Sequence, residues 1–156
     1  MKKGILFVSI VGTLLVLLTA CGGAPTEDES GVARPSSPGG PGEAVNLTGD
    51  PVAGKEIFEA NCPVCHGPDG KGGVENPNSD EGTVPPLNPV EPDLWNPDYQ
   101  TFAYNADLFI EHGSIPDHSD PDVFPPKKMI AWGDSGVLKP QDIADVIAYL
   151  YELNKK

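Results

Sequence analysis

Cys62-Pro63-Val64-Cys65-His66 decides how this 156-residue chain reads. C-x-x-C-H is the attachment signature of a c-type haem, and each residue type has a task at that spacing. Two cysteines three positions apart on one helical turn can form thioethers to the two vinyl groups on one porphyrin edge. The histidine that follows Cys65 is then carried beneath the ring, where its imidazole can coordinate iron. The motif therefore predicts one covalently bound haem c, held by Cys62 and Cys65, with His66 as an axial iron ligand.

Two plainer readings compete. A zinc site would take Cys62, Cys65 and two of His66, His112 and His118. The gap between Cys65 and His112 is far too long for a compact finger. A redox disulfide between Cys62 and Cys65 calls for a strand leading into a helix, and nothing before Cys62 reads as a buried strand.

The first twenty residues stand apart from the rest. Lys2 and Lys3 precede an apolar run from Ile5 to Leu18, shorter than the roughly twenty residues of a spanning helix. The run ends in Leu18-Thr19-Ala20-Cys21-Gly22, which resembles a bacterial lipobox. That resemblance implies cleavage before Cys21, lipidation of its sulfur and attachment to the extracytoplasmic face of a bacterial membrane. A cleaved secretory signal with an incidental cysteine is the alternative. Two or more acyl chains suffice for stable anchoring, and c-type haem is itself attached outside the cytoplasm.

Residues 21–49 read as the lipidated cysteine and a tether. Glu27-Asp28-Glu29 and the run Pro35-Ser36-Ser37-Pro38-Gly39-Gly40-Pro41-Gly42 offer little apolar surface with which to order themselves. Such a tether would reach about 30 Å. Residues 50–156 then form one domain, with Pro-rich loops at 76–98 and 114–126. So loop-rich a domain is marginal alone, and a haem-free chain is expected to be largely unfolded.

The formal charge of −13 becomes −15 once Lys2 and Lys3 leave with residues 1–20. This excludes binding to nucleic acid or to anionic lipid by charge and leaves room for an electropositive protein partner.

Two helices are legible. Asp50-Pro51 supplies an N-cap and a first-turn proline for a helix to about Asn61, with Gly54, Phe58 and Cys62 on one face. Ile143, Val146, Ile147 and Leu150 follow helical spacing within Pro140–Leu153, although Lys139 is a poor N-cap. A shorter pattern runs from Ala106 to His112 and stops at Gly113, where the histidine suits the helix dipole.

Over residues 50–156 the chain resembles the class I monohaem cytochrome c family. The resemblance rests on the run from Gly54 to Asn61 into the haem motif, on Gly67-Pro68-Asp69-Gly70-Lys71-Gly72, and on Lys128-Met129-Ile130-Ala131-Trp132-Gly133. It implies an all-α fold of three to five short helices and Pro-rich loops wrapped around the haem. In that family the first and last helices cross near the haem, which implies a contact of Gly54 and Phe58 with Tyr149. Val84-Pro85-Pro86-Leu87 resembles the segment whose proline carbonyl accepts the proximal histidine Nδ1–H, here assigned to Pro85 ahead of Pro86, with Leu87 in the pocket.

Met129 occupies the position of the family's distal iron ligand, and it is the one methionine besides Met1. A thioether favours ferrous iron and raises the reduction potential relative to a second imidazole. His112 and His118 are the rival ligands, and otherwise surface residues. Trp132 reads either as packing on the haem edge or as ordinary core. Two departures stand out: Ile130 replaces the family's usual proline, and the Ser114–Lys128 segment is long and acidic before Lys127 and Lys128. That segment reads as a docking element or as a tolerated loop.

These readings predict an electron-transfer protein rather than an enzyme: a lipid-anchored monohaem c-type cytochrome carrying single electrons between membrane respiratory or photosynthetic partners. Expected partners are a donor, an acceptor such as a terminal oxidase or photosynthetic reaction centre, and the membrane, with no small-molecule substrate. The lipobox and the segments Asp107–Gly113 and Trp132–Asp134 also resemble monohaem subunits of a quinol-oxidising complex such as alternative complex III. A haem gas sensor or enzyme would need an open coordination position, which an available Met129 argues against.

Overall fold

The computed structural model describes residues 34–36, 39–77, 79, 81–115 and 127–156. Cys21, His118 and most of the Ser114–Lys128 segment lie outside the described residues. Four α-helices carry the fold: α1 (Pro51–Asn61), α2 (Pro63–His66), α3 (Tyr99–His112) and α4 (Pro140–Asn154).

Each helix begins where a side chain or a proline removes unsatisfied amide donors. The Asp50 carboxylate accepts the Val52 N–H at 2.8 Å, with Pro51 in the first turn of α1. The Asp98 carboxylate accepts the Thr101 N–H at 2.9 Å, so α3 starts at Tyr99 rather than at Ala106. The aromatic residues Tyr99, Phe102 and Tyr104 are only moderate helix formers, and they hide the first half of α3 within what reads as loop. Helix α4 does start at Pro140, and the Asp142 carboxylate accepts the Lys139 N–H at 2.9 Å. That reach from within the first turn does what a lysine at the N-cap position cannot.

Helix α4 is the spine of the molecule. Ile143 to Leu150 are all buried along it. Ile143 and Ile147, with Phe58 of α1 and Phe102 of α3, are the largest fully buried apolar side chains. Each stabilises the fold by about 1.5–3 kcal/mol relative to exposure. Helix α1 lies directly on α4, because Gly54 meets backbone: a Cβ there would land on the Asp145 carbonyl and 2.9 Å from the Val146 nitrogen. The buried Asp145 carboxylate accepts the Asp50 N–H and the Gln141 side-chain amide, each at 2.8 Å. One side chain of α4 thus holds the start of α1.

Residues 39–49, expected to belong to the tether, lie on this helical body. A 3-10 turn at Glu43–Asn46 buries Ala44. Gly42 N–H donates to Asp107 Oδ2 at 2.5 Å, and Gln100 Nε2 donates to the Val45 carbonyl at 2.8 Å. Composition predicts that this stretch lacks the apolar surface to order itself, and the structure differs. The stretch is ordered instead by polar side chains of α3 that meet its backbone. Arg34–Pro35 (β1) also pairs antiparallel with Ser114–Ile115 (β2), with Pro35 opposite Ser114. This two-residue pairing is an addition to an otherwise helical fold.

Among the described residues no helix is long and apolar enough to cross a membrane.

Candidate haem site

Helix α2 is a single turn, and it brings Cys62, Cys65 and His66 to one apolar cavity. Pro63 opens the turn, and the His66 N–H donates to the Cys62 carbonyl at 2.9 Å. Thiols and imidazole therefore leave the same short stretch of backbone. Phe58, Val146 and Leu150 of the core continue into the cavity wall, and Met129 and Trp132 line it as well.

The Pro-rich segment is held against the turn after His66. Gly72 N–H donates to the His66 carbonyl at 2.7 Å, and Leu87 N–H to the Gly70 carbonyl at 2.8 Å. Gly72 has φ +69°, and a Cβ there would lie 2.7 Å from the Pro86 nitrogen, so only glycine lets the two segments meet. The Pro85 carbonyl thereby reaches His66 Nδ1 at 3.5 Å, the long end of a hydrogen bond. Burial pushes the His66 pKa down, and the Pro85 carbonyl opposes that only in part. A neutral imidazole donating from Nδ1 keeps the Nε2 lone pair for a ligand role.

Leu87, at the cavity wall, is fixed by the far end of α4. Asn154 Nδ2 donates to the Leu87 carbonyl at 2.9 Å, and the Val90 N–H donates to Asn154 Oδ1 at 2.8 Å. Nothing in the sequence marks this asparagine. Asn76 is a second such residue: it is buried, lines the cavity and accepts the Lys127 N–H at 2.7 Å.

Met129 is held on both sides of its peptide. Its N–H donates to Ser114 Oγ, and its carbonyl accepts the Ser114 N–H, each at 3.3 Å. Phe58 meets the Tyr149 ring at 5.4 Å between centroids. Gly54 meets the α4 backbone at Asp145 rather than Tyr149 itself. His112, read from the sequence as a surface residue or rival ligand, is neither. Nδ1 lies 2.8 Å from Asp134 Oδ2 and Nε2 2.7 Å from the Gly40 carbonyl, and the side chain is only 13% exposed.

Burial and the neighbouring Cys65 push the Cys62 thiol up to about 11. A reactive or metal-binding thiolate would be pulled the other way. Among the described residues no group of three or more His, Cys, Asp or Glu side chains could hold a metal ion. The zinc reading therefore has no geometry behind it among the described residues, and a helix rather than the strand a redox disulfide calls for leads into Cys62.

The cytochrome c family model matches residues 51–154, two thirds of the chain. The chain belongs to the cytochrome c family. No solved structure matches it. A cytochrome c of one domain carries one covalently bound haem c, and the family's members transfer electrons.

The residues present fit that group. An apolar cavity has two thiols on one turn, a neutral imidazole beside them, and a thioether on a braced loop. Bound there, haem supplies an iron that accepts and releases one electron, at a potential set by its axial ligands and the polarity around it. The chain's own part is to orient His66 through Pro85, to brace Met129 through Ser114, and to exclude water with apolar walls.

Proposed function

We propose that this cytochrome c is a lipid-anchored, monohaem electron carrier on the extracytoplasmic face of a bacterial membrane. It is tethered through Cys21, with the haem joined to Cys62 and Cys65 and with His66 and Met129 as axial ligands. The observation that carries the reading is that an imidazole and a thioether line the same apolar cavity as the two attachment thiols. With His66 and Met129 filling both axial positions, a bound haem iron would have no open position for a substrate.

Support for a protein partner comes from the cavity rim. Val64 and Ile130 are 78% and 53% exposed there, beside the exposed Lys127 and Lys128. A small apolar patch edged with positive charge, on a strongly acidic body, suits the brief and small interfaces of redox partners. Lys127 Nζ also donates to the Glu75 carbonyl at 2.7 Å, which fixes that charge at the rim.

Intact mass and a redox titration of the membrane-extracted protein test the proposal together. The expected result is a chain starting at Cys21 and carrying acyl groups and one haem, with a one-electron Nernst curve. A chain without acyl groups would overturn the anchor, and a chain without haem the carrier.

A further inference from the structure

Helix α3 ends in carbonyls that the helix itself cannot satisfy. Gly113 N–H takes the Phe109 carbonyl at 2.8 Å, and every later one is met from elsewhere. Trp132 and Gly133 both donate to the Ile110 carbonyl, at 2.9 and 3.3 Å, and Asp134 N–H donates to the Glu111 carbonyl at 3.0 Å. The loop that follows Met129 is thus laid onto the end of α3. Ser36 takes the two carbonyls that remain: its Oγ donates to His112 O and its N–H to Gly113 O, the latter at 3.1 Å.

His112 ties these two segments together. Asp134 Oδ2 and the Gly40 carbonyl are both acceptors, so both ring nitrogens must carry a proton. The resulting imidazolium bridges the ligand loop on one side and the segment before the domain on the other. Asp134 and Glu111 favour its charge. The Glu111 side chain lies between the same two segments, since a Cβ on Gly42 or on Gly133 would meet its carboxylate. At the far side β1 pairs with β2, and β2 contains Ser114, the residue that brackets Met129.

We propose that residues 34–36 and 39–42 strap the end of α3 and position the distal methionine, with His112 as the pin and Ser36 as its second fastening. The proposal rests on Met129 being the distal ligand. The strap lies outside the residues that match the family, 51–154, so it is a feature of this chain beyond the common body. Its chemical reason is that a thioether is a weak donor. The loop bearing it must be held by the protein, and Ile130 gives that loop none of the stiffness of a proline ring.

The test uses the full-length holoprotein, its His112→Ala and Ser36→Ala variants, and Asp98→Ala as a control. Asp98→Ala weakens the start of α3 and lowers global stability without touching the strap. Two readouts apply: the sulfur-to-iron charge-transfer band of the ferric protein, and the rate at which cyanide displaces the distal ligand. His112→Ala and Ser36→Ala should weaken the band and speed cyanide binding by about tenfold, as expected for losing one or two hydrogen bonds from the closed loop. Asp98→Ala should lower the unfolding midpoint and change neither readout. Ser36→Ala removes one hydroxyl from an exposed residue, so it decides the matter if His112→Ala does not fold. Wild-type behaviour in Ser36→Ala, or equal loosening in Asp98→Ala, would overturn the strap. A wild-type protein lacking the sulfur band would instead overturn Met129 as ligand, and the strap with it.

Discussion

Asp107 shows how much a single residue can hide. Its side chain is fully buried, Oδ2 accepts from Gly42, and Oδ1 has no partner among the described residues. Burial pushes its carboxyl pKa up, against the opposing pull of the Gly42 N–H and His112. A raised folded-state pKa means that the favourable contribution is complete below the unfolded value of about 3.9 and is lost as pH rises through the folded value. Asp107→Asn keeps an oxygen for Gly42 and removes the titration. Between acidic and neutral pH the wild type should therefore lose stability relative to Asp107→Asn, with a slope approaching about 1.4 kcal/mol per pH unit at its steepest. Urea denaturation across that range checks this, and parallel pH profiles would contradict it. The contrast with Cys62, Cys65 and His66 is instructive. Those three are legible because their geometry is local, within one turn. The partners of Asp107 and His112 lie 65 and 72 residues away along the chain, so no spacing rule could have assembled them.

Elements were legible to the degree that their ends carried signals. Helix α1 has both an acidic N-cap and a first-turn proline, and α4 has an apolar face at helical spacing. Helix α3 had its cap, Asp98 three residues before Thr101, but the aromatic residues after it and the prolines before it masked the start. Those aromatic residues have a packing role. Tyr151 of α4 meets Trp95, Tyr99 and Phe102 at 5.4, 5.1 and 5.6 Å between ring centroids. Its hydroxyl donates to the Pro97 carbonyl at 2.6 Å. The Pro-rich loop before α3 is thereby fastened to the spine, as the preceding stretch is by Asn154. Close approach of α1 to α4 is the element-scale claim most open to test. Gly54→Ala would drive a methyl group into the Asp145 carbonyl, and neither helix backbone can give way cheaply. It should destabilise the holoprotein by about 3 kcal/mol or more. An unchanged urea midpoint would show that the helices do not cross there.

At the scale of the whole molecule, the core and the cavity are one structure. Phe58, Ile110, Leu138, Val146 and Leu150 belong to the buried core and also face the cavity. Haem is therefore expected to complete the core rather than to dock on a finished fold. Chain produced without haem should show little of the helical circular dichroism of the holoprotein, and a full helical signal would contradict this. Composition leads to the same expectation, because a loop-rich domain with modest apolar content needs something large to bury. It could not foretell that residues 39–49, the described end of the expected tether, lie along α3. That depends on hydrogen bonds between distant backbone and side-chain groups, and these leave no hydrophobic pattern in the sequence. The acidic balance is likewise visible in composition, whereas the placement of Lys127 and Lys128 on the same cavity as Val64 needed the fold.

The central claim is that His66 and Met129 hold both axial positions. The absorption spectrum of the dithionite-reduced holoprotein, before and after carbon monoxide, tests it most directly. A sharp low-spin spectrum that carbon monoxide leaves unchanged is the predicted result. A prompt shift on carbon monoxide would mean an open distal position, and an electron carrier with Met129 on the iron would then be the wrong account.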